Sequence, residues 1–214
     1  MLADAWNYVL AHPVQFWRAL GVHMALSASA LLLAALVSLP AGIAVARRAR
    51  LSLATVNAAN VARTLPSLAV LALVMPLLGT GFAPALFALT LIALPPIVTH
   101  TIVAMRGVDA DVVDAAVGMG MTRSILFWRV ELPIALPVIF AGLRTAAVQV
   151  ISGALLAAFI GGGGLGDFIT AGIAMMAIPQ LLVGAIPVTL LALGADFLFG
   201  ALQRRVTPQG LDST

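Results

Sequence analysis

The 214-residue sequence predicts an all-α membrane protein with about five transmembrane helices. Three observations carry this. The chain is 62% hydrophobic and 9% charged, with a mean hydropathy of +1.13, where a soluble domain holds about 25% charged residues. A soluble chain this short cannot hide so much apolar surface in one core, so lipid is the solvent for much of it. Five stretches are also long and apolar enough to cross a bilayer. Finally, the arginines cluster at alternate breaks between those stretches, as cytoplasmic loops do.

The elements follow in order. Residues 1–21 read as an outer, interfacial segment, with Trp6, Tyr8, Phe16 and Trp17 as an aromatic anchor. This start lacks a basic region before an apolar one, so no cleavable signal is expected. The membrane domain covers residues 22–205. Span one is Val22–Ala46, and "ARRARLS" with Arg47, Arg48 and Arg50 follows it. Span two is Val56–Leu78; Arg63 near its start reads as snorkelling to the interface. "GTGFAP" separates it from span three, Pro84–Met105. A polar stretch, residues 107–133, leads to span four, Ile134–Ile160. "GGGGLGDF" then precedes span five, Leu181–Leu202, and residues 206–214 form a tail. Counting arginines puts the N-terminus outside, and the tail and residues 107–133 in the cytoplasm. Pro66, Pro76, Pro95, Pro96, Pro137 and Pro187 fall inside spans. Prolines there need neighbouring helices to satisfy the carbonyls they free, and the many Ala, Gly and Ser residues permit such close contact.

Composition excludes several functions. The pI is near 11.0, but the net charge is only +3, there is no Lys, and the arginines form no patch. Nucleic acid is therefore not a partner. The chain has no Cys, hence no disulfide and no thiolate metal site. No metal or catalytic residues are expected. Without Gly-Lys-Ser/Thr, the Gly-rich loop cannot be a phosphate loop.

The informative stretch is "DAAVGMGMTRSILFWRVELP", Asp114–Pro133. Asp109, Asp111 and Asp114 favour a short helix from about Ala110 to Val117. Gly118 and Gly120 break it. Thr122 caps a second helix, Arg123 to about Leu132, carrying Ile125, Leu126, Trp128 and Val130. The result is a surface hairpin with an apolar face that either docks a partner or lies in the lipid interface.

This stretch resembles the signature loop of ABC importer permeases, Glu-Ala-Ala-x3-Gly-x9-Ile-x-Leu-Pro. Asp114, Ala115 and Ala116 occupy the acid-Ala-Ala positions, Gly120 the glycine, and Val130, Leu132 and Pro133 the close. Asp replaces Glu and Val replaces Ile. The resemblance implies the five-span type I importer fold and an ATPase-coupling role for the hairpin, with Gly118, Arg123, Ile125 and Trp128 in that surface. ATP and Mg would be bound by a separate cytoplasmic ATPase, with no cofactor on this chain. The other implied partners are a solute-binding protein outside and a second permease chain, identical or related, within the membrane lipid.

"RTLPSLAVLALVMPLLGTGFAPALFAL" and the run from Gly118 to Ile169 resemble permeases that import quaternary-amine osmoprotectants. Permeases for methionine share the five-span plan and a "GGLG" element, so they remain the alternative. In one departure, "IALPPIVTHTIV" replaces a Tyr-containing stretch followed by Arg-Asn-Thr. The resemblance implies a gate near Leu65, Pro66 and Ser67, and binding-protein docking at Gly161, Gly162, Gly163, Gly164, Leu165 and Gly166.

His100 and Arg144 are further candidates for the translocation path. Arg144 inside span four must face protein or water unless it snorkels; it is expected to pair with an acid or a helix C-terminus, and Asp196 in span five with Arg144 or with an arginine near the inner surface. His100, Asp196 and Arg144 could otherwise serve a proton-coupled carrier, the competing class of function; a non-transporting membrane scaffold is the third.

Overall fold

The computed structural model describes residues 1–207; most of the expected tail 206–214 lies outside them. The helices are α1 (Leu2–Ala11), α2 (Pro13–Ala46), α3 (Ala49–Thr64), α4 (Ser67–Leu78), α5 (Phe82–Arg106), α6 (Ala110–Gly118), α7 (Arg123–Leu126), α8 (Leu132–Gly153), α9 (Gly166–Ala174) and α10 (Ile178–Val206). A π-helical stretch, Phe127–Glu131, joins α7 to α8, and a 3-10 stretch, Ala154–Ile160, extends α8. Among the described residues no strand occurs.

Four of the expected spans exist as single helices long and apolar enough to cross a membrane: α2, α5, the 38-residue run Arg123–Ile160, and α10. The boundaries differ in three places. The first span begins at Pro13, not Val22. Proline suits a first helical turn, where its missing N–H has no partner to lose.

The second span is broken: α3 and α4 meet at 93° across Leu65 and Pro66. Leu65 is extended, at φ −70° and ψ 126°, as a residue before proline prefers. The 12 residues of α4 rise only about 18 Å, short of a bilayer's roughly 30 Å of hydrocarbon.

Third, the second hairpin helix does not stop before span four. Pro133 cannot donate a hydrogen bond within the turn before it. The ladder passes this point through the π stretch, where Leu132 N–H reaches back to the Phe127 carbonyl. Hairpin and span are therefore one continuous helix.

The core is built from small residues. Ala30, Ala34, Ser38, Gly42 and Ala46 form a buried stripe along α2, spaced by four. They face α5, whose other side packs on α8. A Cβ on Gly42 would come within 2.8 Å of Thr101, and one on Gly142 within 2.6 Å of His100. Helices α2, α5 and α8 thus touch nearly backbone to backbone, the packing that dispersion favours inside lipid. α10 lies against α8, and α1 folds back along α10. Of the aromatic anchor, Tyr8 and Phe16 pack on Phe168 with ring centroids 6.2 and 6.4 Å away, while Trp6 and Trp17 stay exposed.

The two ends are chemically distinct. At one, Gly81 N–H donates to the Ile160 carbonyl at 2.7 Å, joining the "GTGFAP" turn to the Gly-rich loop. At the other, Arg106 Nη1 donates to Ser52 Oγ at 3.1 Å, and Arg47 pairs with Glu131. Breaks expected to share a side do share an end.

Candidate functional site

The hairpin forms as its sequence dictates. The Asp109 carboxylate accepts from Asp111 N–H at 2.9 Å and caps α6. Thr122 Oγ1 accepts from Ile125 N–H at 3.5 Å and starts α7. Between them Met121 N–H donates to the Ala116 carbonyl and Gly120 N–H to that of Val117. This pair of bonds requires a left-handed residue after the helix cap, and Gly120 supplies it at φ +81°. Nothing lies within 4 Å of where its Cβ would stand, so the backbone alone demands glycine. Gly118 has no such requirement: it is the last residue of α6, and a Cβ there also meets open space.

Asp114 and Ala115 are exposed, and Ala116 is buried where α6 meets the second arm. Val117, Met119, Ile125 and Trp128 stand exposed on the hairpin, Trp128 by 64%. Arg123 is exposed beside them, while Leu132 and Pro133 are half-buried at the root.

The root holds a residue that sequence reasoning missed. Glu131, at the end of the π stretch, is buried, and Arg47 Nη2 donates to its Oε2. Among the described residues this is the sole side-chain hydrogen bond leaving residues 107–131. The two are 84 positions apart, so only the fold shows that they meet.

The remaining candidates separate. Leu65 and Pro66 lie exposed at the α3–α4 corner, with Ser67 half-buried. His100 Nδ1–H donates to the Pro96 carbonyl at 2.8 Å, and its ring abuts Gly142. Arg144 is two residues, about 200°, further round the helix and points to α10. There its Nε and Nη2 donate to Asp196 Oδ1 and Oδ2 at 2.5 and 2.6 Å. The expected Arg144–Asp196 pair exists, but His100 occupies the opposite face and forms no relay with it. A second histidine that the sequence did not flag, His23, is fully buried and donates from Nε2 to the Ile151 carbonyl at 3.1 Å.

In the Gly-rich loop, Gly162, Gly164, Leu165 and Gly166 are buried by the chain's own helices. A Cβ on Gly166 would strike the Leu155 carbonyl at 2.1 Å, and one on Gly162 would meet Ala85 and Ala157 at 2.9 Å. These four cannot offer a docking surface, contrary to expectation. Their smallness serves packing; Gly161 is exposed and Gly163 half-exposed.

The family model for the binding-protein-dependent transport system inner membrane component matches residues 38–208. The chain belongs to this ABC importer permease family. The permease is 43% identical over 198 residues to the carnitine transport permease protein OpuCB of Listeria monocytogenes, covering 92% of this chain and 89% of the relative. It is 40% identical over 191 residues to the glycine betaine/carnitine/choline transport system permease protein OpuCB of Bacillus subtilis, covering 89% and 88%. It is also 40% identical over 189 residues to the choline transport system permease protein OpuBB of that organism, covering 88% and 87%.

A crystal form of the inward-facing MetNI methionine ABC transporter superposes with a TM-score of 0.79 over 92% of this permease and 99% of that chain, at 21% identity. That likeness establishes the type I importer fold. The permease is thus a multi-pass inner-membrane component, and its relatives are permease subunits of transporters.

Proposed function

We propose that this permease imports quaternary-amine osmoprotectants, such as glycine betaine, choline or carnitine, as the non-catalytic membrane subunit of an ATP-driven importer. The observation that carries the substrate class is the set of transport relatives at 40–43% identity over almost the whole chain. The methionine transporter, at 21%, supports the fold alone.

The arginine-bearing end faces the cytoplasm, in keeping with the bias of positive charge to that side, and the N-terminus lies outside. The hairpin's exposed Val117, Met119, Ile125 and Trp128 form the face that a cytoplasmic ATPase covers. Because α7, the π stretch and α8 form one continuous helix, displacement of the hairpin moves span four with it. Two permease chains enclose the path. The solute-binding protein docks at the opposite end, around Gly161 and Gly163. ATP and Mg reside on the ATPase.

The test is two-part. The cognate binding protein is titrated with glycine betaine, carnitine, choline and methionine, and uptake is measured in proteoliposomes with and without the ATPase. The expected result is quaternary-amine binding and ATPase-dependent uptake. Binding of methionine alone overturns the substrate class. Uptake that persists without the ATPase and follows a proton gradient overturns the mechanism.

A further inference from the structure

Arg144 and Asp196 form an ion pair on a surface where lipid would not tolerate it. Their side chains are 40% and 36% exposed, and both belong to spanning helices. Asp196 lies ~10 residues, about 15 Å, from the end of α10 at Val206. That depth falls within the hydrocarbon layer of a bilayer. Charged heads at such a depth face protein or water, so this side of the α8–α10 contact is not turned to lipid.

The same side carries a groove. It has a volume of about 400 Å³, with Val148, Ser152 and Leu155 on one wall, Thr189 and Ala192 on the other, and Asp196 at its base. The walls are chiefly apolar, with the hydroxyls of Ser152 and Thr189 on them, and Asp196 is the charged residue of the lining. Below Asp196 the charge is not balanced. Gly200 has no side chain, and the Arg144 and Arg204 guanidiniums come within 3.4 and 3.8 Å of where its Cβ would stand. Of these two guanidiniums only that of Arg144 pairs with Asp196.

We propose that this pair, with Arg204 beside it and the groove above it, is a transit site for a zwitterionic quaternary amine. The inference rests on the osmoprotectant reading above. A trimethylammonium group has no N–H and is shed by water easily, which suits apolar walls with one carboxylate at the base. The substrate's own carboxylate matches the arginine side, where Arg144 and Arg204 supply forked donors. When the site is empty, Arg144 and Asp196 satisfy each other, so neither charge is left unpaired at low dielectric. When the zwitterion arrives, the internal pair opens into two external pairs. When it leaves, the pair recloses behind it. The net charge of the site is the same in both states.

The test uses the complete transporter in proteoliposomes with its binding protein, comparing glycine betaine and carnitine with choline, which has no carboxylate. Arg204 is exposed near the helix end, so its substitution is expected to leave the fold intact. R204Q is expected to reduce uptake of the two zwitterions by about tenfold more than uptake of choline, the loss of one charge-assisted hydrogen bond. D196N should reduce all three. The exchanged pair R144D/D196R retains an internal ion pair. It should assemble with the ATPase at the wild-type yield yet fail to restore uptake, because the site's polarity is reversed.

Full uptake by the exchanged pair, or equal loss of choline and zwitterion uptake in R204Q, overturns the transit site while leaving the osmoprotectant reading standing. If the wild type takes up only the zwitterions, the exchanged pair decides; if it takes up only choline, the transit site is wrong. Wild-type uptake of none of the three overturns the osmoprotectant reading itself.

Discussion

Removing Arg47 should harm this permease more than removing Glu131, although the two form one ion pair. Arg47 is 52% exposed and Glu131 only 12%. Without Arg47, a nearly buried carboxylate is left alone. Breaking a buried pair in this way costs about 3–5 kcal/mol, and the residual solvent access of Glu131 brings this to roughly 2–3 kcal/mol. Without Glu131, a half-exposed guanidinium keeps most of its water, and the loss is about 0–1 kcal/mol, as for surface pairs. The expected gap is therefore about 2 kcal/mol in favour of E131Q over R47Q.

The pair also anchors the hairpin root, so the functional effect should follow the same order. Purified R47Q and E131Q transporters would be compared by thermal unfolding and by ATP hydrolysed per substrate imported. R47Q should unfold earlier and hydrolyse more ATP per substrate. Equal effects, or a larger effect of E131Q, would refute the argument from burial.

Other predictions follow from single positions. Gly120 sits at φ +81° in open space, so G120V should cost about 1–2 kcal/mol of backbone strain and weaken stimulated ATPase activity. G120N, which tolerates that conformation, should be milder; equal defects would point to a side-chain clash instead. Trp128 is largely exposed, so W128A should leave the unfolding temperature of the isolated permease unchanged while weakening ATPase binding by at least about tenfold, as buried interface tryptophans do; pull-down titration reads this. Met176 is a non-glycine residue at φ 52°, almost fully exposed after α9. M176G should therefore stabilise the protein by up to about 1 kcal/mol, seen as a higher unfolding temperature.

Much of this protein was legible one residue at a time. The spans α2, α5, α8 and α10 declare themselves by apolar length. The hairpin declares itself by local chemistry, since Asp109, Thr122 and Gly120 act on backbone groups within five positions of themselves. The break at Leu65–Pro66 was in principle readable as well, because the residue before a proline avoids the helical region. It was masked by the apolar run around it, which makes a single span the simplest division.

Local sequence decided helices, caps and breaks because those forces act within a turn or two of chain. It predicted which loops share an end because charge bias accumulates over whole segments. Tertiary structure alone decided which groups meet. It sent Arg144 to Asp196 and turned His100 toward Gly142, two faces of one helix that sequence spacing cannot orient. It buried most of the Gly-rich loop that looked like a docking surface. It also joined Arg47 to Glu131 at the hairpin's root. The physical reason is common to all three: side-chain pairing and burial depend on the rotation and contact of whole helices, and small-residue stripes set both only once the bundle has packed.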